Sequence, residues 1–197
     1  SSHFMRSQMF MIHDPLTTPH VSQHRTGGLG DTVVGGKVKA YESGHNTIHA
    51  SFGLSLPTGS IDEGGVHGNP AIHSPYRMQL GTGTYDLLPS VNFNSSLGAL
   101  SYGAGLGGRI HLGENDNGYS RGDSVNANIH GAYPLKSWLS VSAGATIDHS
   151  GKINGRDAAI TQDMPSGNPD YYGGTVVTTS AGFHIMMPGE NDDAHAL

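Results

Sequence analysis

The stretch Asn46–Leu56, NTIHASFGLSL, alternates apolar with polar or small residues along its whole length. Residues 99–113, ALSYGAGLGGRIHLG, continue the same alternation over a longer run. A period of two predicts a β-strand with one apolar face and one polar or small face. Strands of soluble domains usually run about five or six residues, whereas about ten residues, tilted, cross a bilayer as one stave of a barrel. The two stretches therefore predict a β-barrel of the outer-membrane type.

Composition supports a β protein and excludes several other classes. The chain has 197 residues, 30 Gly and no Cys, and 13% of its residues are charged. This length suits a single domain over residues 1–197, and a hydrophobic content of 35% is too low for a helical membrane protein. A net charge of −6 with scattered Lys and Arg gives no electrostatic footprint for nucleic acid. An acidic soluble β domain remains the alternative on composition alone.

Turn residues divide the rest of the chain into further strands. Alternation predicts these over residues 4–12, 32–41, 84–94, 123–133, 139–148 and 177–187. Short connections at Glu42, Ser95, Pro134 and Pro188 alternate with long ones over 13–28, 57–79, 113–121 and 150–172. In an up-and-down meander, every second connection lies at the same end, so the long loops should gather at one rim. Outer-membrane barrels have this asymmetry, with short periplasmic turns and longer extracellular loops. Within 84–94, Pro89 lacks the N–H that a central strand needs, so a β-bulge is expected there.

Four segments share the pattern of one known family. They are GLGD at 28–31, LSLPTGSID at 54–62, MQLGTGTYDLLP at 78–89 and RIHLGENDNGY at 109–119. In this order they resemble a family of Gram-negative outer-membrane proteins, called transporters or named for the MetA pathway of phenol degradation, over residues 28–188. The resemblance implies a β-barrel and an uptake role for hydrophobic or aromatic compounds. It implies no catalytic residues.

Both ends of the chain depart from the family pattern. No secretory leader precedes the first residues, and residues 193–197 resemble the beginning of another strand. Counting 4–12, the sequence supplies eight complete strands. We therefore expect an all-β, antiparallel up-and-down transmembrane β-barrel, incomplete at both ends, in which residues 1–197 form a single domain and part of a longer barrel. A small closed barrel is the alternative.

The alternation assigns strand residues to two environments. The apolar set is expected to face lipid: Ile48, Phe52, Leu54, Leu100, Leu106, Ile110, Val141 and Phe183. The polar set is expected to line a pore and to set its selectivity: Lys37, Lys39, His49, Arg109, His111, Asn126, Asn128 and His130. Three small residues would keep part of the pore wall thin: Gly103, Gly105 and Gly107.

Histidine is unusually frequent, with 13 His beside 7 Met. Imidazole binds Cu, Zn and Ni, and a thioether binds Cu(I). Histidines dispersed along strands are more often polar wall residues, so no metal site and no cofactor are predicted. The tripeptide Arg121-Gly122-Asp123 matches an adhesion motif that arises easily by chance at a Gly-rich turn. No Walker loop or His-Glu-x-x-His is present, and an enzyme is not predicted.

These observations together predict a channel or transporter for small solutes in the bacterial outer membrane, with the lipid bilayer as its surroundings. Two alternatives stay open. One is a plugged structural barrel whose long extracellular loops bind a protein partner. The other is a metal-binding outer-membrane protein that uses the abundant His and Met side chains.

Overall fold

The protein is an all-β structure in this computed structural model, which describes residues 4–12, 21–66, 69–161 and 165–186. Three short 3-10 helices occupy Tyr76–Met78, Pro165–Gly167 and Pro169–Tyr171. Within the described ranges, no helix has the length and hydropathy to cross a membrane. The strands in chain order are β1 (Phe4–Ile12), β2 (Val21–Leu29), β3 (Thr32–Ser43), β4 (Asn46–Leu56), β5 (Gly64–Val66), β6 (Asn69–His73), β7 (Tyr85–Leu97), β8 (Leu100–Leu112), β9 (Tyr119–Ser120), β10 (Ser124–Lys136), β11 (Leu139–Ser150), β12 (Asn154–Gly155) and β13 (Gly174–Ile185).

Seven of these strands form one antiparallel sheet in the spatial order β13-β11-β10-β8-β7-β4-β3. Each of the seven pairs with the next long strand along the chain, which is the order of an up-and-down meander. β1 and β2 form a separate hairpin, while β5–β6 and β9–β12 are two small pairs. In the described part of the chain, β3 and β13 are the edges of an open sheet. The predicted all-β, antiparallel fold is therefore confirmed, without a closed barrel.

Tight turns define one end of the seven-stranded sheet. They occupy residues 44–45, 98–99 and 137–138. Gly44 has φ 57° and Gly98 has φ 59°, the left-handed backbone that matches a two-residue hairpin turn to the strand twist. The turns fall within or at the end of the short connections predicted over 42–46, 94–98 and 134–137. After Pro134 the strand continues through a register change between Pro134 and Lys136 before it turns.

Two predictions about the strands are wrong. Half of the expected loop over 13–28 is strand β2, which pairs with β1 over its whole length. Its sequence, VSQHRTGGL, has no alternating apolar residues and so gives no period-two pattern. Pro89 does not mark a bulge, because the β7–β8 register is the same before and after it and only the pairs of Leu88 and Pro89 are missing. Residues 13–20 and 187–197, with the Pro188 turn and the expected further strand, lie outside the described residues.

The two faces of the seven-stranded sheet differ in exposure, and the apolar face is the exposed one. The register places the whole predicted apolar set on one face. Phe183 is 74% exposed, Ile129 64% and Leu106 52%. The fully buried side chains of the same sheet, among the described residues, are polar and lie on the opposite face: Ser55 and Asp86. This is the reverse of a soluble sheet, which buries its apolar face against a core.

The long connections pack together at the end opposite the tight turns, and we call them the loop cap. The loop cap comprises the described residues 57–66, 69–84, 113–123, 151–161 and 165–173. The backbone N–H of His73 donates to the Ala159 carbonyl at 2.9 Å, which joins two connections far apart in sequence. The buried apolar residues of the described chain all belong to this cap: Tyr76, Met78, Leu80, Tyr119, Ile153 and Ile160. The prediction that the long loops share one rim is confirmed for the connections after β4, β8 and β11, whereas residues 13–28 are not part of the cap, since 13–20 lie outside the described residues and 21–28 belong to β2.

Alanine substitution of two glycines separates the backbone requirement of the tight turn from the effect of side-chain packing. A Cβ added at Gly98 or at Gly36 would meet no atom within 4 Å, but only Gly98 has a left-handed backbone. We expect Gly98→Ala to lower the free energy of unfolding by about 1 kcal/mol, since an L side chain is strained at positive φ. Gly36→Ala, the matched control, should be neutral or slightly stabilising. Urea titration of both variants measures the difference, and equal losses would contradict the turn assignment.

Candidate functional site

The eight residues predicted to line a pore share the polar face of the seven-stranded sheet. Lys37 pairs with Ser51, Lys39 with His49, and His49 with Asn92 across the first three strands. On the other side of the sheet, Asn126, Asn128 and His130 lie opposite the glycines of β8. The structure therefore brings all eight to one surface but spreads them along it. Lys37 and Lys39 lie on the edge strand β3, whereas Arg109 and His111 lie where the sheet meets the loop cap.

The glycines of β8 are covered by side chains from both neighbouring strands. A Cβ at Gly105 would lie 2.6 Å from Asn128 Nδ2 and 2.7 Å from Asn92 Oδ1. A Cβ at Gly103 would lie 2.7 Å from the His130 ring and 2.8 Å from Asn94 Oδ1. The expectation that these glycines thin the wall is therefore incomplete. They make room for amide and imidazole groups that cross over them.

A buried polar cluster, which we call the rim network, joins the sheet to the loop cap. Its members are Asp31, Thr82, Thr84, Asp86, Arg109 and His111. The Asp86 side chain is fully buried and accepts hydrogen bonds from the hydroxyls of Thr84 at 2.6 Å and Thr82 at 3.1 Å. Arg109 Nε lies 3.7 Å from Asp86 Oδ2. Hydroxyl donors and a guanidinium thus compensate a carboxylate removed from water.

Asp31 ties the start of β3 to the same cluster. Its carboxylate accepts from the backbone N–H of Gly59 at 3.0 Å, from the Thr82 N–H at 2.8 Å and from the Thr82 hydroxyl at 3.0 Å. Gly59 and Gly81 approach so closely that a Cβ at Gly81 would collide with the Gly59 carbonyl. Three of the segments that resemble the known family therefore meet at this one carboxylate.

His111 is buried without hydrogen bonds. Its side chain is 4% exposed, and neither ring nitrogen has a hydrogen-bond partner among the described residues. The nearest carboxylate oxygens are Asp123 Oδ1, 3.4 Å from Nδ1, and Asp86 Oδ2, 3.9 Å from Nε2. Asp123 instead accepts from the backbone N–H of His111 at 2.8 Å. Because buried polar atoms are nearly always paired, this imidazole is a candidate for ligand recognition.

The loop cap has an aromatic centre. The Tyr76 ring packs edge-to-face on Tyr119 at 4.8 Å and on Tyr172 at 5.5 Å between centroids. The Tyr76 hydroxyl accepts from the Asp157 N–H at 3.1 Å, and Asp157 Oδ2 lies 2.7 Å from His73 Nδ1. Burial raises the pKa of Tyr119 to about 12 and also raises the pKa of Tyr76 and Tyr172. These rings remain neutral phenols at neutral pH.

Arg121 joins two connections of the loop cap. Its Nη2 donates to three backbone carbonyls, Tyr76 O at 3.1 Å, Gln79 O at 3.3 Å and Gly81 O at 3.1 Å. Both charged residues of the tripeptide Arg121-Gly122-Asp123 therefore form hydrogen bonds within the protein. The sequence marked this position only as a chance adhesion motif, and its structural role was not predicted.

A cavity of about 260 Å³ lies between the loop cap and the polar face. The residues that line it are Tyr76, Arg77, Arg109, His111, Arg121, Gly122, Ser124, Ser150, Gly151, Ile153, Tyr172 and Gly173. Two of the predicted pore residues, Arg109 and His111, are therefore part of a defined site. Asn126 and Asn128 line a separate cavity of about 320 Å³, and His130 lines one of about 450 Å³ near the tight turns.

The described side chains bear on both metal binding and nucleophilic chemistry. Over the described ranges, no three His, Asp or Glu side chains converge as metal ligands. Residues 118–122, GYSRG, have the Gly-x-Ser-x-Gly spacing of a nucleophile elbow. Ser120, however, lies in β9 and pairs with Asn154 of β12, not on the strand-to-helix turn that such a nucleophile occupies.

Comparison with known families identifies the family that the four sequence segments resemble. The family model described as Putative MetA-pathway of phenol degradation matches residues 7–176. The chain belongs to this family. No curated protein matches the sequence. The match spans the seven-stranded sheet up to the beginning of β13 and includes all members of the rim network.

Several residues of the site were not predicted from the sequence of this chain. Asp31, Thr82 and Asp86 lie within segments that resembled the family, so the resemblance was the available sign of their importance. Tyr76 and Arg121 gave no such sign, because their role depends on contacts between connections 40 or more residues apart.

Removing the Arg121 guanidinium tests its role in holding the loop cap. We expect Arg121→Gln to lower the free energy of cap opening by about 2–3 kcal/mol, because buried carbonyls lose a charged donor. Hydrogen exchange of the amides at 76–82 measures the opening. Lys152→Gln is the matched control, since Lys152 makes only an exposed 3.6 Å pair with Asp170 and such pairs contribute little. Equal protection in Arg121→Gln and the parent would refute the assignment.

Proposed function

We propose that this protein forms the wall of an outer-membrane β-barrel through which small solutes pass along the polar face. The observation that carries the proposal is the reversed exposure of the central strands, where large apolar side chains are exposed and polar side chains such as His49, Asn126 and Asn128 are half-buried. Burying one such apolar side chain is worth about 1.5–3 kcal/mol. A whole face of them in water would be strongly unfavourable, and contiguous apolar surfaces of this kind are typical of membrane or protein contacts.

The lengths of the strands support a bilayer more than a protein partner. Each strand of the seven-stranded sheet has 11 to 13 residues, which covers the roughly 9–11 residues that a tilted membrane strand needs. The tight turns at one end and the loop cap at the other repeat the asymmetry of outer-membrane barrels. In this arrangement the loop cap is extracellular and the tight turns are periplasmic.

The proposed lumen is polar but not uniformly charged. Lys37, Lys39 and Arg109 contribute cations, while the amides of Asn126 and Asn128 cover the glycines of β8. Such a wall permits passive diffusion without a catalytic step, with selectivity set by the lining side chains. Membership of a family named for phenol degradation supports small aromatic compounds among the solutes.

A second candidate is a plugged barrel that binds a protein partner through its extracellular loops. The observation that favours it is the loop cap itself, which has its own apolar core and is therefore an ordered surface. The two functions differ in one measurable property, since a plugged barrel does not conduct.

Planar bilayers containing the reconstituted protein separate the two candidates. We expect stepwise conductance that falls when a large side chain enters the lumen in Asn126→Trp. Val125→Trp is the matched control, because the neighbouring residue faces the opposite side and should leave the conductance unchanged. A folded protein that conducts at no applied voltage would overturn the channel and favour the plugged barrel.

A charge on the apolar face tests the membrane assignment independently of transport. Leu106 lies in the middle of β8 and is 52% exposed. We expect Leu106→Arg to make folding into lipid vesicles less favourable by about 2–4 kcal/mol, the cost of an arginine near the bilayer midplane. Asn126→Arg places the same charge on the polar face and should cost much less. If both variants fold into vesicles with equal stability, the apolar face does not contact lipid.

A further inference from the structure

The cavity between the loop cap and the polar face has the size of a small ligand. Its volume of about 260 Å³ falls just below the range of about 300–1,000 Å³ typical of drug-sized ligands. It is bounded by sheet residues on one side and by loop-cap residues on the other, so both elements would contact an occupant. A compound with a single ring fits this space better than a large one.

The lining of this cavity is cationic. It contains Arg77, Arg109 and Arg121, and no Asp or Glu belongs to it. The nearby carboxylates are engaged elsewhere: Asp86 accepts from the Thr82 and Thr84 hydroxyls, and Asp123 accepts from a backbone N–H. An anion entering the cavity would therefore meet donors before it meets a carboxylate.

Two of the lining groups contact carboxylates only at long distances, 3.4 and 3.9 Å for His111 and 3.7 Å for Arg109. His111 is buried with both ring nitrogens unpaired. The Arg109 side chain is 35% exposed, and its ion pair with Asp86 is long at 3.7 Å. A guanidinium presents donors in a planar fork that matches a carboxylate. A ligand carboxylate could approach these donors more closely than Asp86 and Asp123 do.

The same cavity offers an aromatic wall. Tyr76 and Tyr172 line it, and their rings pack edge-to-face with centroids 5.5 Å apart. The Arg77 guanidinium carbon lies 5.4 Å from the centroid of the Tyr172 ring. An additional ring beside Tyr172 would find an aromatic edge and a nearby cation, which is favourable for an aromatic anion.

We propose that this cavity binds a small aromatic carboxylate. The inference deepens the proposed function by naming a solute class at the entrance of the lumen, but binding at this site does not require conduction. The carboxylate would contact Arg109 and His111, and the ring would pack against Tyr172.

Equilibrium dialysis of the full chain in lipid nanodiscs tests the proposal with radiolabelled benzoate, against empty nanodiscs. We expect saturable binding of one benzoate per protein, with acetate and benzyl alcohol competing at least about ten-fold more weakly, because each lacks one of the two recognition elements. Benzoate affinity should fall by about ten-fold or more in Arg109→Gln and recover in part in Arg109→Lys.

Two further variants separate a binding defect from a folding defect. Arg77 is exposed, so Arg77→Gln should weaken benzoate binding while leaving the circular dichroism spectrum unchanged. Lys136→Gln removes a cation at the far end of the sheet and should bind benzoate as the parent does. Equal affinity for benzoate and acetate, or an Arg109→Gln variant that is folded and binds normally, would overturn the proposal. A conducting protein without saturable benzoate binding would overturn only this inference, whereas saturable binding without conductance would support it and overturn the channel.

Discussion

An exposed apolar face on a large sheet is strongly unfavourable in water, so its stability depends on what contacts that face. This constraint explains why the described core of the protein lies in the connections and not between strands. Tyr76, Tyr119 and Ile160 are buried in the loop cap, while Phe183 and Ile129 in the sheet are exposed. The strands are stabilised by their ladders of backbone hydrogen bonds, and their apolar side chains depend on the surroundings for burial.

The polar side has the complementary difficulty where it meets the loop cap, because Asp86, Arg109 and His111 lie near one another and are largely removed from water there. The rim network surrounds the carboxylates with hydrogen-bond donors: the Thr84 hydroxyl donates to Asp86, two backbone N–H groups donate to Asp31, and the Thr82 hydroxyl lies within hydrogen-bond distance of both carboxylates. Arginines then remain on the side that faces the cavity. Because the carboxylates are hydrogen-bonded and the arginines face the cavity, this region of the sheet is locally cationic, which the acidic composition of the chain does not show.

Sequence alternation predicted the long strands and the side that each residue faces, because a two-residue period depends only on local geometry. It also placed the long loops at one end. It missed β2, whose sequence has no period, and it misread Pro89, because pairing with β4 holds that segment in register despite the lost N–H. Sequence alternation could not predict the rim network or the hydrogen bonds of Arg121, because these contacts join segments whose relative positions are fixed only after the sheet forms. The resemblance of four short segments to a family indicated where those contacts would be.

The loop cap also has a consequence for the order of assembly. Its aromatic centre combines Tyr76, Tyr119 and Tyr172, which belong to three separate connections. Closing such distant segments before the intervening hairpins exist would carry a large loss of chain entropy. The neighbouring hairpins, joined by two-residue turns, are local and can pair first. Formation of the cap therefore depends on strands that are already paired in register beneath it, so a strand paired in the wrong register would leave the cap without its aromatic centre.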